Sequence, residues 1–318
     1  MKLISIVVPM YNEEEMAPLF VEKVSSILDT LNSYEYEIIA VNDGSVDNTL
    51  NVLKELQEKY TKLTIANLSR NWGHESALYA GLKLAKGDAI IPIDADLQDP
   101  PEIIPDMVKM WEDGYDIVNA KRKSRKQDSS LKRNTANLFY TWADKISKGV
   151  KVPHNVANYR LINRRALDKV LSLEETHRVF RIEVPFVGFK VGEVLFDRPK
   201  RQKGKSKYKM SSMFSLAIAS TVSLTNRPLE WSIYLTVCLG LLFILSSVGQ
   251  ISLFVLGLIT NTPVISELWH AVWFVCNVML ILSTIVIFSI AVLSQYSGRS
   301  LDESRKRPAV IIEEVIKK

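Results

Sequence analysis

Two cysteines and four histidines in 318 residues leave little room for sulfur or imidazole chemistry. A disulfide framework needs cysteines that can meet, and a zinc site needs Cys and His clustered at short spacing. Cys238 and Cys276 stand apart in apolar surroundings and read as small packing residues, at different depths if they lie on antiparallel helices. His74 and His177 read as surface or capping residues, and His154 and His270 form no cluster. The phosphate loops G-x-x-x-x-G-K-[ST] and G-x-G-x-x-G are absent, which disfavours P-loop and dinucleotide-binding readings. No apolar leader with a small-residue cleavage site opens the chain, because Met1-Lys2-Leu3-Ile4-Ser5 runs directly into a strand pattern. Nucleic-acid motifs are missing too, so the net charge of +5 points to membrane headgroups and anionic substrates rather than to nucleic acid.

Formal charge is absent from two long stretches. No Asp, Glu, Lys or Arg lies between Glu230 and Glu267, nor from Leu268 to Gly298. Each exceeds the ~20 residues that carry a helix across a bilayer. Two spans are expected near Trp231–Ile259 and Leu268–Leu293, with the turn at Asn261-Thr262-Pro263. Trp231, Tyr234 and Tyr296 would mark one interface, and Trp269 and Trp273 the other. Arg227, Arg299, Arg305, Lys306 and Arg307 flank the pair while the connecting loop has no basic residue, which predicts both termini in the cytoplasm.

What remains is an α/β pattern. Strands are expected at Ile4–Val8, Glu37–Val41, Leu63–Leu68 and Ala89–Ile93, with helices at Met16–Leu31, Asn48–Glu58 and Glu75–Leu84. This alternation predicts a mostly parallel sheet covered on both faces. The loops Pro9–Glu13, Asn42–Asp47 and Asp94–Asp99 would then share one sheet edge, each bringing carboxylates. Open α/β sheets bind ligands at that edge. Asp94-Ala95-Asp96-Leu97-Gln98 places two carboxylates one residue apart at a strand end, which suits a divalent cation on a nucleotide diphosphate. Paired aspartates beside a turn also serve as turn formers or caps. Acidic residues from three loops favour the ligand reading. Asp43, just past a buried strand, could accept from a nucleoside imide or ribose hydroxyl.

Six stretches, in order, carry a family resemblance: Val7-Val8-Pro9-Met10-Tyr11-Asn12-Glu13, Val41-Asn42-Asp43-Gly44-Ser45, Leu68-Ser69-Arg70-Asn71-Trp72-Gly73, Asp94-Ala95-Asp96-Leu97-Gln98-Asp99-Pro100-Pro101, Tyr159-Arg160-Leu161 and Gly204-Lys205-Ser206-Lys207-Tyr208. The chain resembles the polyisoprenyl-phosphate glycosyltransferases, inverting family-2 glycosyltransferases of GT-A fold related to dolichol-phosphate mannose synthase. Its two-span tail looks like the bacterial undecaprenyl-phosphate glucosyltransferase branch. The resemblance implies a GT-A domain over 1–196, a basic juxtamembrane region over 197–228, two transmembrane helices within 229–296 and a cytoplasmic tail over 297–318. It implies a multi-pass protein of the bacterial inner membrane that uses UDP-glucose, polyprenyl phosphate and Mg²⁺ or Mn²⁺. By the same resemblance Pro9, Tyr11, Glu13 and Asp43 would hold the nucleoside. Asp94, Asp96 and Gln98 would contact the metal, and Asp94, Asp96 and Arg160 would form the catalytic set. Arg122, Arg133, Arg201, Ser206 and Lys207 would meet the lipid phosphate.

The chain departs from the family pattern in places. Asn155-Val156-Ala157-Asn158 has no carboxylate where the family often has two Asp, and Asn42 replaces a frequent Asp. The Gln-x-x-Arg-Trp acceptor motif of processive synthases is missing, which disfavours polymerisation. A phosphomonoester acceptor is already mostly ionised near neutrality, its second pKa being about 6, so a strong base is less needed. Basic runs at Lys121–Lys126, Lys132-Arg133 and 198–209 could offset the repulsion between anionic acceptor and donor. Helical apolar spacing across Tyr208–Asn226 predicts an amphipathic interfacial helix, or one packed on the domain. A homo-oligomer through the spans is expected. Two alternatives stand beside the glucosyltransferase: a GDP-mannose enzyme of the same fold, and a catalytically silent nucleotide-sugar-binding subunit.

Overall fold

Lys2–Met10 forms strand β1, and its inward residues divide between the two faces of a central sheet. The structure is a computed structural model that describes residues 1–123, 156–173, 175, 178–197, 227–260 and 267–318. After β1 come α1 (Met16–Leu28), β2 (Tyr34–Asn42), α2 (Thr49–Lys59), β3 (Leu63–Leu68), α3 (His74–Leu84) and β4 (Ala89–Pro92). A 3₁₀ turn at Pro101–Ile103 leads to α4 (Ile104–Glu112) and β5 (Ile117–Arg122). Then follow β6 (Val156–Asn163), α5 (Arg164–Leu171), α6 (Phe180–Val187), β7 (Val191–Phe196), α7 (Arg227–Thr260), α8 (Glu267–Arg305) and β8 (Ile312–Ile316).

The sheet order is β7-β5-β6-β4-β1-β2-β3-β8. β1 pairs in parallel with β2 and β4, β2 with β3, and β5 with β7. The pairs β4–β6, β5–β6 and β3–β8 are antiparallel. The expected α/β class and parallel centre are therefore present, with antiparallel strands added around them. Successive strands wind outward from β1 through β2 to β3, and β4 then returns to the other side of β1. That reversal opens a crevice at the C-terminal ends of β1 and β4, the usual ligand position in open α/β sheets.

Two cores hold the sheet. Ile4, Ile6, Val8, Ile38 and Ala40 meet Phe20, Val21 and Val24 of α1, Leu53 of α2 and Met107 of α4. On the other face Val7, Ile39, Val41, Ile90 and Ile162 meet Ala77 and Leu78 of α3, Leu167 and Val170 of α5, and Phe180 and Val184 of α6. Each large apolar side chain so buried contributes about 1.5–3 kcal/mol. Gly81 lets α3 approach β1, since a Cβ there would lie 2.4 Å from Val7 Cγ1. The first turn of α3 is thereby held near the loops that follow β1, β2 and β4.

The chain divides into two compact units, 1–220 with 306–318, and 221–305. In the second, α7 and α8 are long and apolar enough to cross a membrane. They pack on one another through contacts such as Phe243 on Phe274, whose ring centroids are 5.7 Å apart. Their outer sides expose Leu245, Ile259, Leu280 and Ile287, an arrangement that suits lipid and not a soluble core. Cys238 and Cys276 are free thiols, as their depths predict. α8 runs past the expected span end at Leu293 to Arg305, and the tail expected over 297–318 contains β8, which pairs with β3.

Candidate functional site

The loop after β4 alternates inward and outward side chains. Ala95 and Leu97 are each 4 % exposed and Asp99 is buried, while Asp94, Asp96 and Gln98 are partly exposed between them. The three residues expected at a metal thus share the accessible side of one short loop. Leu97 adopts φ 54°, and Asp96 Oδ1 accepts from the Gln98 backbone N–H at 3.0 Å, which tightens the turn. Among the described residues no group of three or more His, Cys, Asp or Glu is placed to hold a metal. Two carboxylates alone make no closed cage, but they fit a hard cation that takes its other oxygens from a diphosphate and water.

The loops after β1 and β2 are laced together. Asn12 N–H donates to Ser45 Oγ at 3.0 Å, Asn12 Oδ1 accepts from Val46 N–H at 2.9 Å, and Glu13 N–H donates to Thr49 Oγ1 at 2.9 Å. The Glu13 carbonyl accepts from Met16 and Ala17 and so starts α1. Pro9 lies opposite Val41 just before β1 ends at Met10, and Tyr11 and Glu13 are half-buried just beyond it. Of the four residues expected at the nucleoside, Tyr11, Glu13 and Asp43 therefore occupy two interlocked loops and Pro9 the end region of the strand that leads into one of them.

Asp43 is 3 % exposed, and its carboxylate organises a third loop. Oδ1 accepts from Trp72 N–H at 2.7 Å, and Oδ2 accepts from Gly73 N–H at 3.1 Å. Burial pushes its pKa up, opposed by those two N–H groups and by the nearby His74 and Arg70. Gly44, at φ +60°, lies under the Arg70–Asn71 peptide, where any Cβ would sit 2.4 Å from backbone atoms. The Arg70 guanidinium stacks 3.7 Å from the centre of the Trp72 ring. Asn42 both donates, to Asn67 Oδ1 at 2.7 Å, and accepts, from Ser45 N–H at 3.3 Å. An ionised aspartate could only accept, so the Asn found here has its own structural reason.

β6 begins at the same edge, because it runs antiparallel to β4. Asn158 Nδ2 donates to Glu75 Oε1 at 3.1 Å and lies 3.5 Å from His74 Nε2, which stands 3.6 Å from Asp94 Oδ1. His74 was expected to be a surface or capping residue. It is half-buried, and in the fold it joins the Asp94–Asp99 loop to β6 from the first turn of α3. Asn158, in the carboxylate-free stretch, thus engages a carboxylate supplied by another element, Glu75 of α3.

Arg160 is fully buried. Nη2 donates to the Ala157 carbonyl at 2.7 Å, and the guanidinium lies 5.3 Å from the Phe180 ring centre. Nε and Nη1 have no hydrogen-bond partner among the described residues. Burial and the neighbouring Arg181 push its pKa down to about 9, which leaves it cationic at neutral pH. A buried cation with two unused donors fits an anion better than it fits a purely structural role. Arg122, at the end of β5, faces Asp99 at 3.7 Å, so part of its charge is already balanced. Arg133, Arg201, Ser206, Lys207 and the amphipathic segment Tyr208–Asn226 lie outside the described residues.

The arrangement offers carboxylates for a cation, interlocked loops for a nucleotide and a buried cation nearby, which suits transfer of a group from a nucleoside diphosphate. Comparisons agree with this geometry. Residues 5–171 match the model of "Glycosyl transferase family 2". A protein of Synechocystis named as an uncharacterized glycosyltransferase is 36 % identical over 98 % of this chain and 95 % of its own. A prophage bactoprenol glucosyl transferase homolog of Escherichia coli is 37 % identical over 99 % of each chain. The bactoprenol glucosyl transferase of Shigella phage SfV is 36 % identical over 97 % of each. The family domain spans the strands and loops that build the site and the relatives extend through both long helices, so this chain belongs to glycosyl transferase family 2 and is a glycosyltransferase of GT-A fold.

Proposed function

We propose that the protein transfers glucose from UDP-glucose to a polyprenyl phosphate such as undecaprenyl phosphate, with inversion, on the cytoplasmic face of a bacterial inner membrane. The observation that carries this reading is the outward set Asp94, Asp96 and Gln98 beside the nucleotide loops, in a chain that continues into two membrane-length helices. Relatives that share nearly the whole length and are named bactoprenol glucosyl transferases support the sugar and the lipid.

Pro9, Tyr11, Glu13 and Asp43 would frame the nucleoside. Asp94 and Asp96, with Gln98 beside them, would hold Mg²⁺ or Mn²⁺, whose contribution is Lewis-acid stabilisation of the departing diphosphate. An oxygen of the lipid phosphate forms the new bond to glucose C1 as the bond from C1 to UDP breaks, and UDP leaves. That oxygen is already anionic, so no carboxylate base is required. This agrees with Asn158 serving as a partner of Glu75 and His74. Arg160, with Arg122, Arg133, Arg201, Ser206 and Lys207, would offset the charge of two anions brought together.

The return of 306–318 to the same compact unit as 1–220 supports both termini on one side of the membrane. A homo-oligomer through α7 and α8 would cover the apolar side chains that these helices expose, such as Leu245, Ile259, Leu280 and Ile287. Titration calorimetry of the full-length protein in detergent tests the donor. UDP-glucose should bind with Mg²⁺ or Mn²⁺ and lose that binding in EDTA; preference for GDP-mannose would contradict the assignment.

A further inference from the structure

The strand that closes the sheet is made from residues that follow both membrane-length helices, and its contacts lead inward to the nucleotide loops. β8 pairs with β3 as Ile65↔Ile316, Ala66↔Val315, Asn67↔Glu314 and Leu68↔Ile312, with an irregularity between Asn67 and Leu68. Glu313 is the extra residue at that irregularity. Bulges of this kind re-aim a side chain, and here the Glu313 carboxylate reaches Asn67. Glu313 Oε2 accepts from Asn67 Nδ2 at 3.0 Å, Asn67 Oδ1 accepts from Asn42 Nδ2 at 2.7 Å, and Asn42 Oδ1 accepts from Ser45 N–H at 3.3 Å. Ser45 Oγ then accepts from Asn12 N–H at 3.0 Å, and Asn12 Oδ1 from Val46 N–H at 2.9 Å.

The polarity of this chain is held from both ends, by Ser45 N–H, which only donates, and by Glu313, which only accepts. A primary amide can be turned by half a rotation to exchange its donor and acceptor, but an ionised carboxylate only accepts. Glu313 therefore requires Asn67 to present its NH₂ outward and its carbonyl to Asn42. Asn42 must then present its NH₂ to Asn67 and its carbonyl to Ser45 N–H. The reversed pair of amides would set an NH₂ against the Ser45 N–H, a donor facing a donor beside buried Asp43. Gln57 Nε2, donating to the Ile316 carbonyl at 2.8 Å, and Ser69 N–H, donating to the Ile311 carbonyl at 3.2 Å, hold β8 in the register that delivers Glu313.

We propose that Glu313 is a positioning residue for the donor site, acting through Asn67 and Asn42 to fix the Ser45 and Asn12 loops, so that the chain distal to the membrane helices completes a site built by the first strands. This rests on the reading of those loops as nucleotide-binding. The test compares full-length protein in detergent with Glu313→Ala, Glu313→Gln and, on the same strand, Glu314→Ala. Without nucleotide, hydrogen exchange at the Asn12, Ser45 and Val46 amides should quicken about threefold or more in Glu313→Ala and not in Glu314→Ala. The UDP dissociation constant in Mg²⁺ should rise about five- to tenfold in Glu313→Ala, with KM rising and kcat little changed, and Glu313→Gln, whose amide can present either donor or acceptor to Asn67, should recover only part of it. Unchanged exchange in Glu313→Ala, or an equal change in Glu314→Ala, would overturn the proposal. Exchange that responds in a protein that binds no UDP would retain the relay and overturn the donor reading instead.

Discussion

Nε2 of His74 stands 3.6 Å from Oδ1 of Asp94, across the gap between the first turn of α3 and the loop after β4. The same nitrogen lies 3.5 Å from Asn158 Nδ2, so one ring touches both walls of the crevice. His74→Ala removes a neighbour that limits where the Asp94 carboxylate can turn. Losing one such contact corresponds to about a fivefold fall in kcat/KM, with the melting temperature little altered. Steady-state kinetics with varied UDP-glucose, beside a thermal melt, check this.

Asp43→Asn should damage both fold and site. The carboxylate receives two backbone N–H groups, and an amide must point its NH₂ at one of them. A buried donor left facing a donor costs about 1–3 kcal/mol. The melting temperature should fall, and UDP affinity should fall with it, because the Arg70–Gly73 loop loses its anchor. Calorimetry and thermal unfolding of the same sample measure the two effects.

Arg160→Met separates function from stability. Replacing a buried ionic group with an apolar side chain of similar volume is often neutral or stabilising. Arg160 has one hydrogen bond and two unused donors, so little native structure depends on it among the described contacts. The variant should melt at or above the parent temperature while transfer falls by tenfold or more. A large loss of stability would instead make Arg160 structural.

Asp116 gives a pH signature away from the crevice. Burial alone would raise its pKa, but hydrogen bonds from Arg165, Asn163 and the Lys190 backbone outweigh burial and hold it below the usual carboxylate range. Arg165 Nη2 and Asn163 Nδ2 each approach Oδ1 at 2.7 Å. A depressed folded pKa stabilises the protein fully above the unfolded value and loses that stabilisation as pH falls through the folded one. Asp116→Asn should therefore melt below the parent at pH 7, and the gap should narrow as pH falls below about 4 and close only beneath the depressed folded value. Thermal melts across that range test it.

The sheet centre was legible because β1, β2 and β4 are short apolar runs bounded by turn residues, and their loops had to emerge at one edge. Boundaries shifted where pairing overrides local pattern: β2 begins at Tyr34, earlier than Glu37, because it stays in register with β1 from Lys2. β8 was not legible. Ile312-Glu313-Glu314-Val315-Ile316 is short and breaks alternation at its bulge, and its partner β3 lies far away in sequence. His74 near Asp94 was hidden for a related reason, since the contact depends on Gly81 seating α3 against β1. The place of Asp94, Asp96 and Gln98 after β4 was legible from the apolar run Ala89–Ile93, and the fold adds that the three share the accessible side of the loop while Ala95 and Leu97 face inward.

The central claim is transfer to a lipid phosphate, and radiolabel partition tests it most directly. Full-length protein is incubated with UDP-[¹⁴C]glucose, undecaprenyl phosphate and Mg²⁺ or Mn²⁺, then extracted into organic solvent, beside the Asp96→Ala variant and an EDTA control. Label should enter the organic phase only with the active protein, the lipid and the metal together, and Asp96→Ala should reduce it at least a hundredfold while remaining folded. Label that stays in the aqueous phase under all conditions, or that reaches the lipid equally well with Asp96→Ala, would contradict the account.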